Sequence, residues 1–180
     1  TSQRNKSGHE RNRRSMSARE FSAAAPSARS RTADTARATV FDVLRSVAES
    51  DAYANLVLPK AIRSHRLDHR DAGFATELTY GTLRHQGTYD AILRHCVDRP
   101  LEKVGTTTLI VLRMGVHQLL NMRVPAHAAL NQSVSLAREK IGAGPASFIN
   151  AVLRRVSERT PEEWYELIIK DAKDDTERMA

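Results

Sequence analysis

Three short spacings in this 180-residue chain use residue types that chemistry needs. His65 and His69 stand four apart, a spacing that puts two imidazoles on one helical face for a metal ion. Gly142-Ala143-Gly144 precedes a helical pattern, as a phosphate-cradling turn does. His95 adjoins Cys96, the two residue types from which an activated thiolate is built. Each fails on its context. Leu67–Asp68 has the form of a helix start between the two histidines, and no third ligand is evident. The glycine turn follows a helical pattern instead of a strand and lacks the further glycine or lysine of a nucleotide-binding loop. Adjacent helical residues point about 100° apart, and Cys96 falls on the apolar stripe of Ile92 and Leu93, so it reads as a buried, inert thiol. The carboxylates are scattered over solvated faces. These residues compose no active site.

The arginines are the remaining chemistry. Arg29, Arg31 and Arg37 lead into the first helical pattern, where their charge meets phosphates alongside free backbone N–H groups. For these three, contact with nucleic acid is the favoured reading. Arg84 (followed by His85), Arg154 and Arg155 end helical patterns. They serve equally well as phosphate contacts or as caps for the negative end of a helix dipole, and both readings stand. Aromatics near the basic clusters are few, so phosphate contact and shape should outweigh base stacking.

The charge balance supports that emphasis. The net charge is +7, and residues 1–32 hold eight basic residues against Glu10 and Glu20, leaving the remainder of the chain near neutral. A basic arm on a balanced domain suits a polyanion, nucleic acid being the commonest. Residues 1–32 contain a single aromatic, Phe21, and too little apolar surface to offset the entropy of ordering, so they read as a disordered tail. One cysteine excludes an internal disulfide and any zinc site built on several cysteines. No signal-peptide core of roughly 7–15 apolar residues opens the chain, and no apolar run of about 18 residues occurs that could span a membrane. A cytoplasmic location without membrane contact is expected. The chain begins at Thr1 without methionine, as expected of a piece of a longer protein.

The elements that must position these residues are helical throughout, and no period-2 alternation lasts long enough for a strand. Helical order should begin near Thr32–Asp34, with Ala36, Val40, Val43, Leu44 and Val47 inward. A second pattern, Tyr53–His65, places Leu56 and Ile62 inward but contains Pro59, which should bend it or delay its start. A third opens at Asp68 with Phe74, Leu78 and Gly81 on one stripe. Thr88 should cap a fourth, with Tyr89, Ile92, Leu93 and Cys96 inward and Pro100 at its end. The fifth uses Leu109, Leu112, Val116, Leu119 and Leu120. A sixth follows Pro125 with Leu130, Val134 and Ile141. Pro145 introduces a seventh with Phe148, Ile149, Val152, Leu153 and Val156. A last, acidic helix starts at Thr160–Pro161, a cap followed by proline in the first turn. Gly81 and Gly115 sit mid-helix at a cost of about 0.5–1 kcal/mol each, which close helix–helix approach would offset. Asn131 and Asn150 lie in apolar faces and read as structural amides bonded to a neighbouring helix.

Three motifs in order, LRMGVHQLL (Leu112–Leu120), VPAHAALNQSVSLA (Val124–Ala137) and FINAVLRRV (Phe148–Val156), resemble the NusB-type RNA-binding domain. That domain occurs alone as a transcription antitermination factor. It also forms the N-terminal part of the RsmB (Sun/Fmu) family of small-subunit ribosomal RNA cytosine-5 methyltransferases. The resemblance covers about 33–159. RDAGFATELTYGTLRHQGTYDAIL (Arg70–Leu93) and the Arg154–Arg155 pair are similar to the methyltransferase branch. Gln132 departs from it, standing where many relatives have glutamate. The resemblance implies an all-α bundle of about seven helices in two small subdomains, with RNA contact at the basic N-terminal edge. It also implies S-adenosylmethionine and catalytic cysteines in a separate C-terminal α/β domain, 16S ribosomal RNA as partner, and no cofactor or catalysis in this segment. Residues 160–180 would connect to that domain. Two rival readings remain: a stand-alone antitermination factor with a ribosomal protein partner, and a protein-docking module.

Overall fold

The computed structural model describes residues 35–179. Arg29, Arg31 and the rest of the basic segment 1–32 lie outside the described residues. Among the described residues there are eight α-helices and no strand: α1 (35–50), α2 (Ala54–Ser64), α3 (His69–Arg84), α4 (Gln86–Arg94), α5 (Thr106–Leu120), α6 (Ala126–Lys140), α7 (Ala143–Ser157) and α8 (Pro161–Met179). A single 3-10 turn, Leu101–Lys103, joins α4 to α5.

Helix α5 is the axis. It packs against α3 and α4 on one side and α6 and α7 on the other. Ten of its fifteen residues are buried, so the helix is enclosed all round and the single apolar stripe read from sequence understates its contacts. One continuous core, from Val40 and Phe41 to Val156 and Trp164, joins both groups of helices.

The local stops and starts follow their residues. Asp68 accepts a bond from the Asp71 N–H at 2.8 Å and so caps α3. Thr160 and Glu163 form a reciprocal capping box at the start of α8, each backbone N–H bonded to the other's side chain at 3.2 Å. Gly142, at φ 153°, turns α6 into α7 and donates its N–H to the Ala137 carbonyl. The glycine pair there is a helix–helix turn. Pro145 is tolerated because it falls in the first turn of α7, where N–H groups lack intrahelical acceptors anyway.

Three expectations are corrected. Leu56 is 60% exposed and Leu58 is the buried residue of α2. Helix α2 packs against α3, and it is this packing, which sequence does not show, that turns Leu58 inward. Helix α4 begins at Gln86, with Thr88 inside its first turn, because His85 serves as the end of α3 and the start of α4 at once. Pro59 does not delay the start of α2, the other outcome expected of it being a bend: the helix begins at Ala54 and continues past it.

The mid-helix glycines have a steric cause. A Cβ on Gly81 would lie 2.0 Å from the His117 ring, and one on Gly115 would lie 2.5 Å from the Leu153 side chain. Gly73, in the same helix as Gly81, has nothing within 4 Å of a Cβ placed there. Two alanine substitutions in α3 should therefore act in opposite directions. Gly73→Ala should stabilise by about 0.5–1 kcal/mol through helix propensity. Gly81→Ala should destabilise by about 1–3 kcal/mol, because overpacking outweighs that gain. Urea unfolding of both variants checks the sign; equal behaviour would refute the close-approach account.

Candidate nucleic-acid interface

The sequence-selected arginines separate into two groups. Arg37, in the first turns of α1, is only 7% exposed. Its Nε donates to Gln118 Oε1 at 2.8 Å, and its guanidinium lies 4.8 Å from the centre of the Phe74 ring. The expectation of a phosphate contact is corrected here: the group is committed to holding α1 against α5 and α3. A sequence signal existed, since Arg37, Val40, Phe41 and Leu44 share one helical stripe. Arg155 is committed too. Its guanidinium donates to the Cys96 carbonyl at 2.7 Å and pairs with Asp98 at 3.2 Å, capping the end of α4.

Arg84 and Arg154 are exposed and bonded to no other side chain. Arg84 closes the last turn of α3 beside His85, whose ring stacks 6.2 Å from that of His117. Arg154 stands next to Arg155 in the last turn of α7. Further exposed cations that sequence reading passed over are Lys60, Arg63, Arg66 and Arg70 at the α2–α3 corner and Arg138 at the end of α6. Arg66 takes a left-handed φ of 52° at the helix end, a place that favours glycine. Interleaved Asp68 and Asp71 hid the α2–α3 cluster, because the segment's net charge is small.

Asn131 and Asn150 are corrected as well. Neither amide bonds to a neighbouring helix. Asn131 is exposed, Asn150 is half-buried, and both line an open groove between α6 and α7. Their faces are polar on the outside of the hairpin; the apolar residues that flank them in sequence turn the other way. Gln132, by contrast, has a buried Oε1 without a hydrogen-bond partner.

His65 bonds the Ala61 carbonyl at the end of α2, and His69 opens α3, so the pair straddles two helices. Among the described residues no group of three or more His, Cys, Asp or Glu is placed to hold a metal. Cys96 is buried, and burial pushes its thiol up to about 11. Its neighbour His95 faces away, bonded to Asp171 of α8 at 2.7 Å.

The sequence reading did not single out His117, which is 1% exposed. Its Nδ1 lies 2.6 Å from the Tyr89 hydroxyl and its Nε2 lies 3.2 Å from Glu77 Oε1. Asn121 donates to the Tyr89 oxygen and accepts from Tyr165. Donor and acceptor roles close consistently for a neutral ring: Tyr89 donates to Nδ1, and the Nε2 proton goes to Glu77. Burial lowers the His117 pKa, outweighing the opposing effect of Glu77. Burial also raises that of Tyr89. The chain is structural wiring, with every member partnered.

An all-helical unit that presents arginines from its helix ends is the class these observations define. The chain belongs to the NusB family, whose family model matches residues 34–158. It is 42% identical over 147 residues to a putative methyltransferase of Mycobacterium tuberculosis, covering 82% of this chain and 32% of that protein. It is 32% identical over 121 residues to a probable ribosomal RNA small subunit methyltransferase B of Bacillus subtilis, covering 67% of this chain and 27% of that protein. The chain thus spans less than a third of these relatives' length. Its fold matches a crystal structure of antitermination factors NusB and NusE in complex with double-stranded RNA, with TM-score 0.65 and 19% identity over 71% of this chain and 97% of the other. Thermotoga maritima NusB also matches, with TM-score 0.62 and 20% identity over 73% of this chain and 96% of the other. Among the described residues no helix is long and apolar enough to cross a membrane.

Linkage sets a pH test of the His117 wiring. An unfolded histidine titrates near about 6.5. Because the folded value is lower, the unfolded chain binds more protons just below that pH, and stability must fall as pH falls. The stability advantage of the wild type over His117→Asn should therefore shrink between about pH 7 and pH 5. Urea unfolding at each pH measures it; a constant difference would show that the ring is not held neutral.

Proposed function

We propose that this chain is the non-catalytic RNA-binding part of an S-adenosylmethionine-dependent ribosomal RNA cytosine-5 methyltransferase, placing the enzyme on 16S ribosomal RNA in the cytoplasm. The observation that carries this reading is the 42% identity to a putative methyltransferase over a segment that is 32% of its length. The likeness to ribosomal RNA small subunit methyltransferase B of B. subtilis supports it. In this reading the methyl donor and the catalytic groups belong to a separate α/β domain of the parent protein, and α8 leads toward it. The stand-alone antitermination factor is the second reading, favoured by the match to 97% of a NusB chain in the solved complex. The identity of 42% to the methyltransferase relative, against 19% there, supports the first reading.

RNA binding would rest on phosphate neutralisation by Arg84 and Arg154, joined by Arg29 and Arg31. The protein-docking alternative needs no such charge, so ionic strength separates them. The 180-residue chain should bind single-stranded ribosomal RNA fragments with an affinity that falls steeply with salt. Arg84→Ala and Arg154→Ala should each reduce the log–log slope by about 0.7. Removing residues 1–32 should weaken binding further and leave the melting temperature unchanged. Binding without salt dependence, or no binding, would overturn the proposal.

A further inference from the structure

The α6–α7 hairpin has an inner side fully used by the core: Leu136 and Ala137 from α6, Ile149, Val152 and Leu153 from α7. Its outer side is a groove of about 380 Å3 whose polar lining is Asn131, Ser135, Arg138, Ser147 and Asn150 over a floor that includes Val134. No carboxylate lines it. Asparagine inside a helix loses roughly half a kcal/mol against alanine, and neither residue recovers that by bonding within the described protein. Two carboxamides from facing helices therefore offer donors and acceptors to one shared space.

The charges around it are ordered. The two helices run antiparallel through the Gly142 turn, so Arg138 stands at the turn end of the groove. Arg154, just outside that lining, lies one helical turn beyond Asn150 on the same face of α7, away from the Gly142 turn. The groove has no aromatic or large apolar anchor of the kind that dominates protein–protein contacts. A carboxamide pair flanked by two guanidiniums instead matches a nucleotide, whose base edge needs paired donors and acceptors and whose phosphates need cations.

The geometry points to this groove as the seat of an unpaired nucleotide of bound RNA, with Asn131 and Asn150 bonding the base edge and Arg138 and Arg154 its flanking phosphates. This rests on the RNA-binding reading above and adds a base-contacting site to it.

Anisotropy titrations of the full chain test it, using a labelled mixed-sequence single-stranded RNA and the same sequence as a blunt duplex. Asn131→Ala and Asn150→Ala should each weaken single-strand binding about 5- to 30-fold. Both should leave the salt slope unchanged and the melting temperature no lower, since neither amide bonds within the fold and alanine is the better helix former. Arg138→Ala should lower the slope by about 0.7. Wild-type RNA binding that both asparagine variants retain would overturn this site alone and leave the RNA reading standing, the groove then facing protein. Asparagine variants that melt several degrees lower would also overturn it, as structural residues. A wild-type chain that binds neither RNA would overturn both readings.

Discussion

The approach of α3 to α5 at Gly81 and His117 is the constraint on which the rest of the structure depends. A side chain at position 81 would occupy the space of the imidazole, so glycine there admits the ring into the helix interface. Once admitted, a buried imidazole must be satisfied or it costs free energy. It is satisfied from two helices at once, by Tyr89 of α4 and Glu77 of α3. Asn121 and Tyr165 extend the chain to the end of α5 and to α8. One steric vacancy thus fixes the relative placement of four helices through donors and acceptors whose order is directional. Hydrophobic contact alone would permit sliding; this network does not.

The same economy governs the arginines. Arg37 and Arg155 look like binding charges in sequence, and both are engaged by the fold, Arg37 in its interior and Arg155 at its surface. Arg37 completes Gln118, whose amide is buried beside Met114. Arg155 fills the carbonyl end of α4, where a cation is favoured by the helix dipole. Arg113 grips Asp90 through two bonds of 2.7 and 2.9 Å and ties α4 to α5. Guanidinium serves these places because its fork meets several acceptors at once. The charges left for a partner are those whose helix face turns outward, Arg84, Arg138 and Arg154 among them.

What sequence could show follows from this division. Helix count, the Asp68 and Thr160 starts, the glycine turn and the inert Cys96 depend on neighbours a few residues away, so spacing exposes them. The phase of α2 depends on packing against a helix distant in sequence, and periodicity points to Leu56 where packing buries Leu58. Asn131 and Asn150 were legible as polar residues amid apolar ones, but the side they face depends on how α6 and α7 rotate against α5. His117 gave no signal because its partners stand 28 and 40 residues away. Arg37 is the exception: its place on the stripe of Val40, Phe41 and Leu44 marks it as inward-facing despite its charge.

The family segment ends at residue 158, yet the core does not. Trp164 of α8 is buried and donates its indole N–H to the Val156 carbonyl at 2.8 Å, while the Arg159 guanidinium covers its ring. Burying an indole is worth a few kcal/mol, comparable to a large core residue. His95–Asp171 and Tyr165–Asn121 add polar ties farther along the helix. Beyond Asp171 every described residue of α8 is exposed. The helix is therefore anchored at its start and unsupported over its last turns. Tyr165 thereby joins α8 to the hydrogen-bond chain that reaches Glu77 of α3 through Asn121, Tyr89 and His117. A boundary drawn at residue 158 would separate Trp164 from the core in which it is buried.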